Sequence, residues 1–434
     1  HSKPGMFLEP ARQIAGSLSF PGDKSISHRL VLISLLLEGS LELINLSDCA
    51  DVATSLMLVE KLGIEVRRDK KAVKLRHSQQ AVNNFSMPVE LDCGNSGTTA
   101  RLLAGILAGR PGNYLLTGDT SLSRRPMLRV VEPLRQMSAE IECSDGGTLP
   151  VRISGQQTLT PTFFFNHHSS AQVKSAMLLA GLQAAGNTVI EEPFASRDHT
   201  ERLLKFLGAG ITLDGGRICL NGPFRPVGDF SFNIPGDVSS AAFFAVAAAI
   251  FPGSRIELKN VLLNPGRTGF FNVLKKMGTG ISFREQDNIQ QEPAGTVTIT
   301  GGDLHGVEIS PAEIPSLIDE LPALAVAMAF ADSPSQVTGA SELRRKETDR
   351  IGNLISQLQK TGVQCHELPD GYYIAGNSRL TEAVEVDPAN DHRLAMAFAI
   401  LASRSEKGLF INNPDCVKIS FPDFFNRLQN CITG

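Results

Sequence analysis

The chain has no tryptophan, and aromatic residues make up only 6% of it. Its core must therefore be built from Ala, Leu, Ile and Val rather than from large rings. The seven cysteines, Cys49, Cys93, Cys143, Cys219, Cys365, Cys416 and Cys431, are odd in number and scattered, with no CxxC pair. That excludes a zinc-ribbon layout and a disulfide framework, and it reads as free thiols in a reducing cytosol. HxH, HxxxH, GxGxxG and GxSxG patterns are missing too, which removes the usual signals for a metal site, a dinucleotide fold and a hydrolase elbow. The longest apolar run, Ala241 to Phe251, is far short of the ~20 residues a membrane helix needs. The first twenty residues lack the layout of a signal peptide. Net charge is only −4, so nothing global attracts nucleic acid or an anionic membrane. A cytoplasmic location is expected, and any anion site must be a local cluster of Lys and Arg.

What is present is a repeat. A polar stretch rich in Gly or Ser leads into an apolar Ala/Leu-rich helix pattern six times. The six lead-ins are PGDKSISHR (21–29), CGNSGTTAR (93–101), HHSSAQVKS (167–175), IPGDVSSAA (234–242), AEIPSLIDE (312–320) and NDHRLAMA (390–397). Most of these helices end in a turn such as Glu38-Gly39 or Pro111-Gly112, followed by a strand-like run. A second theme alternates with the first: a helix with a charged lead-in that closes on Gly before an alternating strand. VEKLGIEV (59–66), LKFLGAGITL (204–213), LKKMGTGISF (274–283) and LQKTGVQC (358–365) show it. LRQMSAEIEC (134–143) fits with Ser138 in place of Gly, and FFNRLQNCITG (424–434) is a truncated last copy. Gly past the last helical turn is the expected C-cap.

Six units of roughly 70 residues, each with two helices and several strands, then account for the chain. SLSFPGDKSISHR (17–29) mirrors FSFNIPGDVSSAAF (230–243) about half a chain away. An α/β fold of two homologous three-unit domains is expected, one over 20–233 and one over 1–19 plus 234–434. The N-terminal strand belongs to the second, and the crossings near 19–21 and 233–236 form a hinge.

Each lead-in opens a helix, where unpaired N–H groups and a partial positive charge suit phosphate and carboxylate. Lys24, Ser25 and Arg29 lie in the first; Gly97, Thr98, Thr99 and Arg101 in the second; Ser169, Ser170, Gln172 and Lys174 in the third. Taken singly, the first reads more readily as an ordinary helix cap, and the second and third equally as a turn or a cap. SELRRKETDR (341–350) sets Lys346, Glu347 and Arg350 within about one helical turn. On a surface this would be solvated decoration. Here further cationic loops accompany it: Arg124-Arg125-Pro126, Ser196-Arg197-Asp198-His199, Asp391-His392-Arg393 and Lys418. Asp319 sits beside an apolar helix pattern, a setting that raises a carboxyl pKa.

In order along the chain, PGDKSISHR, GNSGTTARL, SRRP, SSAQVKSA, SRDHTERLL, PGDVSSAAF, LIDELPALA, RRKETDRI, DHRLAMA and KISFPDFF resemble the blocks of the 5-enolpyruvylshikimate-3-phosphate (EPSP) synthase family of enolpyruvyl transferases. The resemblance implies two domains, each of three βαβαββ units around a pseudo-threefold axis, the inside-out α/β barrel. It implies transfer of the enolpyruvyl group of phosphoenolpyruvate to the 5-hydroxyl of 3-phosphoshikimate in a cleft between domains, with release of phosphate, no metal and no organic cofactor, by a monomer. Carried over by motif, Lys24, Ser25, Arg29, Ser169, Ser170, Gln172, Arg197, Asp319 and Lys346 are similar to the family's contacts to 3-phosphoshikimate. Lys24, Gly97, Arg125, Gln172, Arg350, Arg393 and Lys418 resemble its phosphoenolpyruvate site. Asp319, Glu347 and Lys24 are the implied proton-transfer groups. Gly97 implies sensitivity to the inhibitor glyphosate, because Ala at this place in the family goes with tolerance.

Two other readings compete. UDP-N-acetylglucosamine enolpyruvyl transferases share the fold, but they carry Lys-Asn where this chain has Lys24-Ser25. They also carry a reactive Cys in the loop that here runs Gly118–Arg125 without one. A non-catalytic repeat protein that binds anions would leave Lys24, Asp319 and Glu347 dispensable.

Overall fold

The computed structural model describes residues 5–70, 72–77, 88–156, 158–286 and 292–433. Among these residues the α-helices form six pairs. They are α1 (Lys24–Ile33) with α2 (Ala50–Lys61), α3 (Gly97–Ala108) with α4 (Leu128–Gln136), and α5 (Ala171–Gly181) with α6 (His199–Phe206). The rest are α7 (Val238–Ala249) with α8 (Gly269–Lys276), α9 (Leu321–Ala329) with α10 (Arg350–Lys360), and α11 (His392–Ser403) with α12 (Phe424–Cys431). A strand follows every helix, and the fold is mixed α/β.

The α3/α4 pair shows the pattern. Val89–Asp92 enters α3 and pairs in parallel with Gly112–Thr117, which leaves it. Glu140–Cys143, after α4, turns back into Val151–Gly155, which lies antiparallel on Gly112–Thr117. The α5/α6 and α9/α10 pairs repeat this four-strand order. The first and fourth pairs exchange their entering strands. Gln13–Ser19 precedes α1 yet pairs with the strand after α7, whereas Val227–Asn233 precedes α7 yet pairs with the strand after α1. This exchange separates two compact units. One holds Gly22–Ile234; the other holds the described chain up to Pro21 and from Pro235 onward, apart from Glu292, which groups with the first.

The two helix types differ by burial. All twelve residues of α7 and all nine of α9 are buried, as expected of helices apolar on every side. In the first unit α3 packs on α1 and α5; in the second, α7, α9 and α11 pack pairwise. The even-numbered helices are amphipathic, burying one stripe such as Val130, Val131 and Leu134 of α4. The residue closing each of five even-numbered helices is left-handed: Gly63 (φ 96°), Ser138 (62°), Gly208 (89°), Gly278 (105°) and Gly362 (95°). Ser138 therefore takes with a side chain the conformation that four glycines take freely.

Gly105 of α3 is required by close approach. A Cβ there would lie 2.2 Å from the Ala176 backbone oxygen of α5, a group that cannot rotate away. Gly105→Ala is expected to destabilise the first unit by about 1–3 kcal/mol, read as a lower urea midpoint; an unchanged midpoint would mean the α3–α5 contact is not this tight.

Candidate functional site

The predicted residues fall into both units. In the first unit, Asp23 caps α1 by accepting from the Ile26 N–H at 3.0 Å. Lys24 opens the helix and its ammonium pairs with the Asp51 carboxylate of α2. Arg29, one turn deeper, is buried. It donates from Nε to Thr200 Oγ1 (2.8 Å), from Nη2 to Ser175 Oγ (2.8 Å) and from Nη1 to the Ser25 carbonyl (2.9 Å), joining α1 to α5 and α6.

A buried hydroxyl chain links the first two lead-ins. His28 Nδ1 lies 2.8 Å from Ser55 Oγ, which lies 2.8 Å from Thr99 Oγ1, which donates to Ser96 Oγ at 2.7 Å. Burial, reinforced by nearby Lys24, pushes the His28 imidazole down from 6.5 to about 3, so it is neutral at pH 7. Ser96 caps α3 through the Thr99 N–H.

Gly97 begins α3 against two guanidinium groups. A Cβ added to it would meet Arg101 Nη1 at 2.8 Å and Arg125 Nη1 at 3.5 Å. Arg101 donates to Gln172 Oε1 of α5, and Gln172 Nε2 donates to Thr98 Oγ1 at 2.9 Å. Arg125 donates to Asn95 Oδ1 at 3.1 Å. Gly97, Arg125 and Gln172 thus share one small region, with Arg101 as the link between them.

The third lead-in meets the loop before α6. Ser170 caps α5, and Ser169 adopts φ 46° with its Oγ accepting from the Phe194 N–H at 3.2 Å. Arg197 follows Ser196, whose N–H and hydroxyl donate to Glu192 at 3.0 and 2.7 Å.

In the second unit, Arg350 is the centre. It is almost fully buried, donates from Nε to Asp391 at 2.6 Å, pairs with Glu347, and has Asp319 Oδ1 3.7 Å from Nη1. Burial disfavours its charge, but Asp391, Glu347 and Asp319 outweigh this and hold the guanidinium above its ordinary value. Arg393 Nε lies 3.9 Å from Asp319 Oδ1, and Arg393 Nη1 donates to the Asp319 carbonyl at 3.1 Å. Asp391 also caps α11, accepting from the N–H groups of Arg393 and Leu394.

Three expectations change in detail. Asp319 is not surrounded by apolar side chains alone; the Arg350 and Arg393 guanidinium groups flank it at 3.7 and 3.9 Å. Lys346, Glu347 and Arg350 do not share a helical turn: Ser341–Arg345 is 3-10, Lys346 to Thr348 bend, Asp349 caps α10, and α10 starts at Arg350. Lys418 is largely exposed on the 3-10 segment Pro414–Ile419, which packs on α11, and its ion-pair partner is Asp415 at 2.7 Å. The structure also adds three residues to the candidate set: Asp51, Asp391 and Glu192. No pattern in the neighbouring residues singled them out, since Glu192 precedes exposed Pro193 and Phe194 and Asp391 follows exposed Asn390.

A model of the EPSP synthase (3-phosphoshikimate 1-carboxyvinyltransferase) family matches residues 8–428. A protein named 3-phosphoshikimate 1-carboxyvinyltransferase from a Sulfurihydrogenibium species is 44% identical over 428 residues, covering 97% of this chain and 98% of that one. One of the same name from Coxiella burnetii is 43% identical over 416 residues, covering 96% and 94%. Among solved structures, EPSP synthase from Acinetobacter baumannii superposes with a TM-score of 0.86 at 36% identity, covering 98% of each chain. The enolpyruvyl transferase NikO from Streptomyces tendae, at 16% identity, shares the fold with a TM-score of 0.79 over 99% of this chain and 98% of its own.

His28 gives a pH signature. Its folded pKa of about 3 lies below the unfolded 6.5, so the unfolded state binds the proton more readily. Below pH 6.5 the wild type should lose stability relative to His28→Gln, by up to about 1.4 kcal/mol per pH unit, while above pH 7 the difference should be flat. Urea midpoints of both proteins between pH 4 and 8 check this; a constant difference contradicts it.

Proposed function

The chain belongs to the EPSP synthase (3-phosphoshikimate 1-carboxyvinyltransferase) family, and from that premise we propose that it joins phosphoenolpyruvate to 3-phosphoshikimate using the two clusters described above. The observation that carries this reading is the Arg350 group, in which four of the family-implied residues, Asp319, Glu347, Arg350 and Arg393, converge. Family membership sets aside the UDP-N-acetylglucosamine reading.

Both substrates are multiply anionic, and Arg binds a carboxylate or phosphate through two hydrogen bonds. Lys24, Gly97, Arg125, Gln172, Arg350, Arg393 and Lys418 take phosphoenolpyruvate. Lys24, Ser25, Arg29, Ser169, Ser170, Gln172, Arg197, Asp319 and Lys346 take 3-phosphoshikimate. Arg350 already carries three acidic neighbours, and an incoming carboxylate would compete with them for its N–H donors. Glu347 is the candidate to give way: its side chain is 18% exposed, against 13% for Asp319 and 0% for Asp391. Leaving Arg350 frees Glu347 for proton transfer.

The addition step forms a bond from the substrate 5-oxygen to C2 of phosphoenolpyruvate while C3 gains a proton. Asp319, flanked by Arg350 and Arg393, takes the hydroxyl proton, and Glu347 and Lys24 are the groups for the carbon-bound proton. Elimination then breaks the C2–phosphate bond, releases inorganic phosphate and returns the C3 proton. The resemblance also supports a cytoplasmic monomer without a cofactor.

Phosphate release should require both substrates together; no release would favour a mere anion binder. The Lys346→Ala, Glu347→Ala double variant should lose at least about 100-fold in turnover, and release at the wild-type rate would refute the assignment. Glyphosate should compete with phosphoenolpyruvate, and Gly97→Ala, whose Cβ crowds Arg101, should weaken that inhibition. An unchanged inhibition constant in the variant would contradict this reading.

A further inference from the structure

Glu192 belongs to no motif of the family resemblance, yet it ties together two segments assigned to one ligand. Its side chain is only 3% exposed. Oε1 accepts from Asn166 Nδ2 at 2.7 Å and from Ser196 Oγ at 2.7 Å. Oε2 accepts from the Ser196 N–H at 3.0 Å and from Lys174 Nζ at 3.2 Å. On one side, Asn166 carries the start of α5: its Nδ2 donates to the Ser170 carbonyl at 3.1 Å, its Oδ1 accepts from the Ser170 N–H at 3.3 Å, and its carbonyl accepts from the Ser169 N–H at 2.9 Å. On the other side, Ser196 immediately precedes Arg197. Lys174, itself buried, closes the group by donating to the Ser196 carbonyl at 3.3 Å and pairing with Glu201 at 2.7 Å.

We propose that Glu192 is a positioning residue for 3-phosphoshikimate, setting the separation between Ser169-Ser170 and Arg197 so that both reach the substrate's phosphate. This rests on the reading that those three residues contact the phosphorylated sugar acid. The chemistry explains why a carboxylate is needed. Four donors converge on its two oxygens, and only an ionised carboxylate offers acceptors alone. Gln in its place would turn an NH2 group toward either the Lys174 and Ser196 N–H donors or the Asn166 and Ser196 Oγ donors. Lys174, shared between Glu192 and Glu201, offsets part of the negative charge that would otherwise repel the substrate's phosphate.

The test compares KM for each substrate in Arg197→Ala, Glu192→Gln and Ser196→Ala. Glu192→Gln should raise KM for 3-phosphoshikimate about tenfold or more and leave KM for phosphoenolpyruvate nearly unchanged. Ser196→Ala, which removes one of the four donors, should raise the same constant by less. The double variant should fall short of the product of the two. A purely structural role would lower the active fraction and thermal midpoint but not split the two KM values. If Arg197→Ala leaves KM for 3-phosphoshikimate unchanged, the underlying site reading fails, and this inference with it. If Arg197→Ala raises it but Glu192→Gln does not, the inference alone is overturned. Should Glu192→Gln not fold, Ser196→Ala decides in its place, with an unchanged KM counting against the proposal.

Discussion

Burying a helix on every side constrains how it can begin. Its first N–H groups have no intrahelical partner, and a dry setting makes leaving them unpaired costly. Five of the six buried helices meet this with a capping side chain: Asp23, Ser96, Ser170, Asp237 and Asp391. The sixth, α9, has no side-chain cap and instead begins with Pro322 near its first position, after the 3-10 turn Ile318–Glu320. The Gly/Ser/Asp lead-ins recur because this demand recurs. Polar chemistry is thereby placed at one end of each buried helix, where binding groups can be added without disturbing the core.

The choice of cap also decides what each helix start can offer. At α1, α7 and α11 the cap is a carboxylate, which already answers the helix dipole. An anion gains little from such a start by itself, and in the proposed function the adjoining cations, Lys24 and Arg29 on α1 and Arg393 on α11, supply the attraction. At α3 and α5 the cap is a neutral hydroxyl, and the dipole remains available beside Gly97, Ser169 and Ser170. The cations are in turn held by acids: Asp51 for Lys24, and Asp391, Glu347 and Asp319 for Arg350. Removing a buried partner would leave an uncompensated charge, so both clusters are poised arrangements rather than loose basic patches.

Much of this was legible in the sequence. The lead-ins and Gly endings marked the six helix pairs, because caps and left-handed closures demand particular residues at particular places. Ser138 fits the same rule, since its left-handed φ shows that position outranks residue type. The exchanged entering strands were suggested by the similarity of 17–29 to 230–243. The acid that partners each cation was less legible. Asp51, Glu192 and Asp391 act through contacts that depend on which helices become neighbours, and a linear pattern does not encode that directly. Asp319 shows the same gap: the run of apolar residues after it suggested an apolar wall, whereas Arg350 and Arg393, brought in from α10 and α11, flank its carboxylate.

The central claim of the proposed function is that Asp319, 3.7 Å from the Arg350 guanidinium and 3.9 Å from that of Arg393, takes the proton of the attacking hydroxyl. Single-turnover phosphate release by Asp319→Asn, with both substrates saturating, tests it most directly. The substitution keeps the shape and removes the base, so release should slow by about 100-fold to 10,000-fold while both substrates still bind. Release at the wild-type rate with both substrates bound would contradict the account.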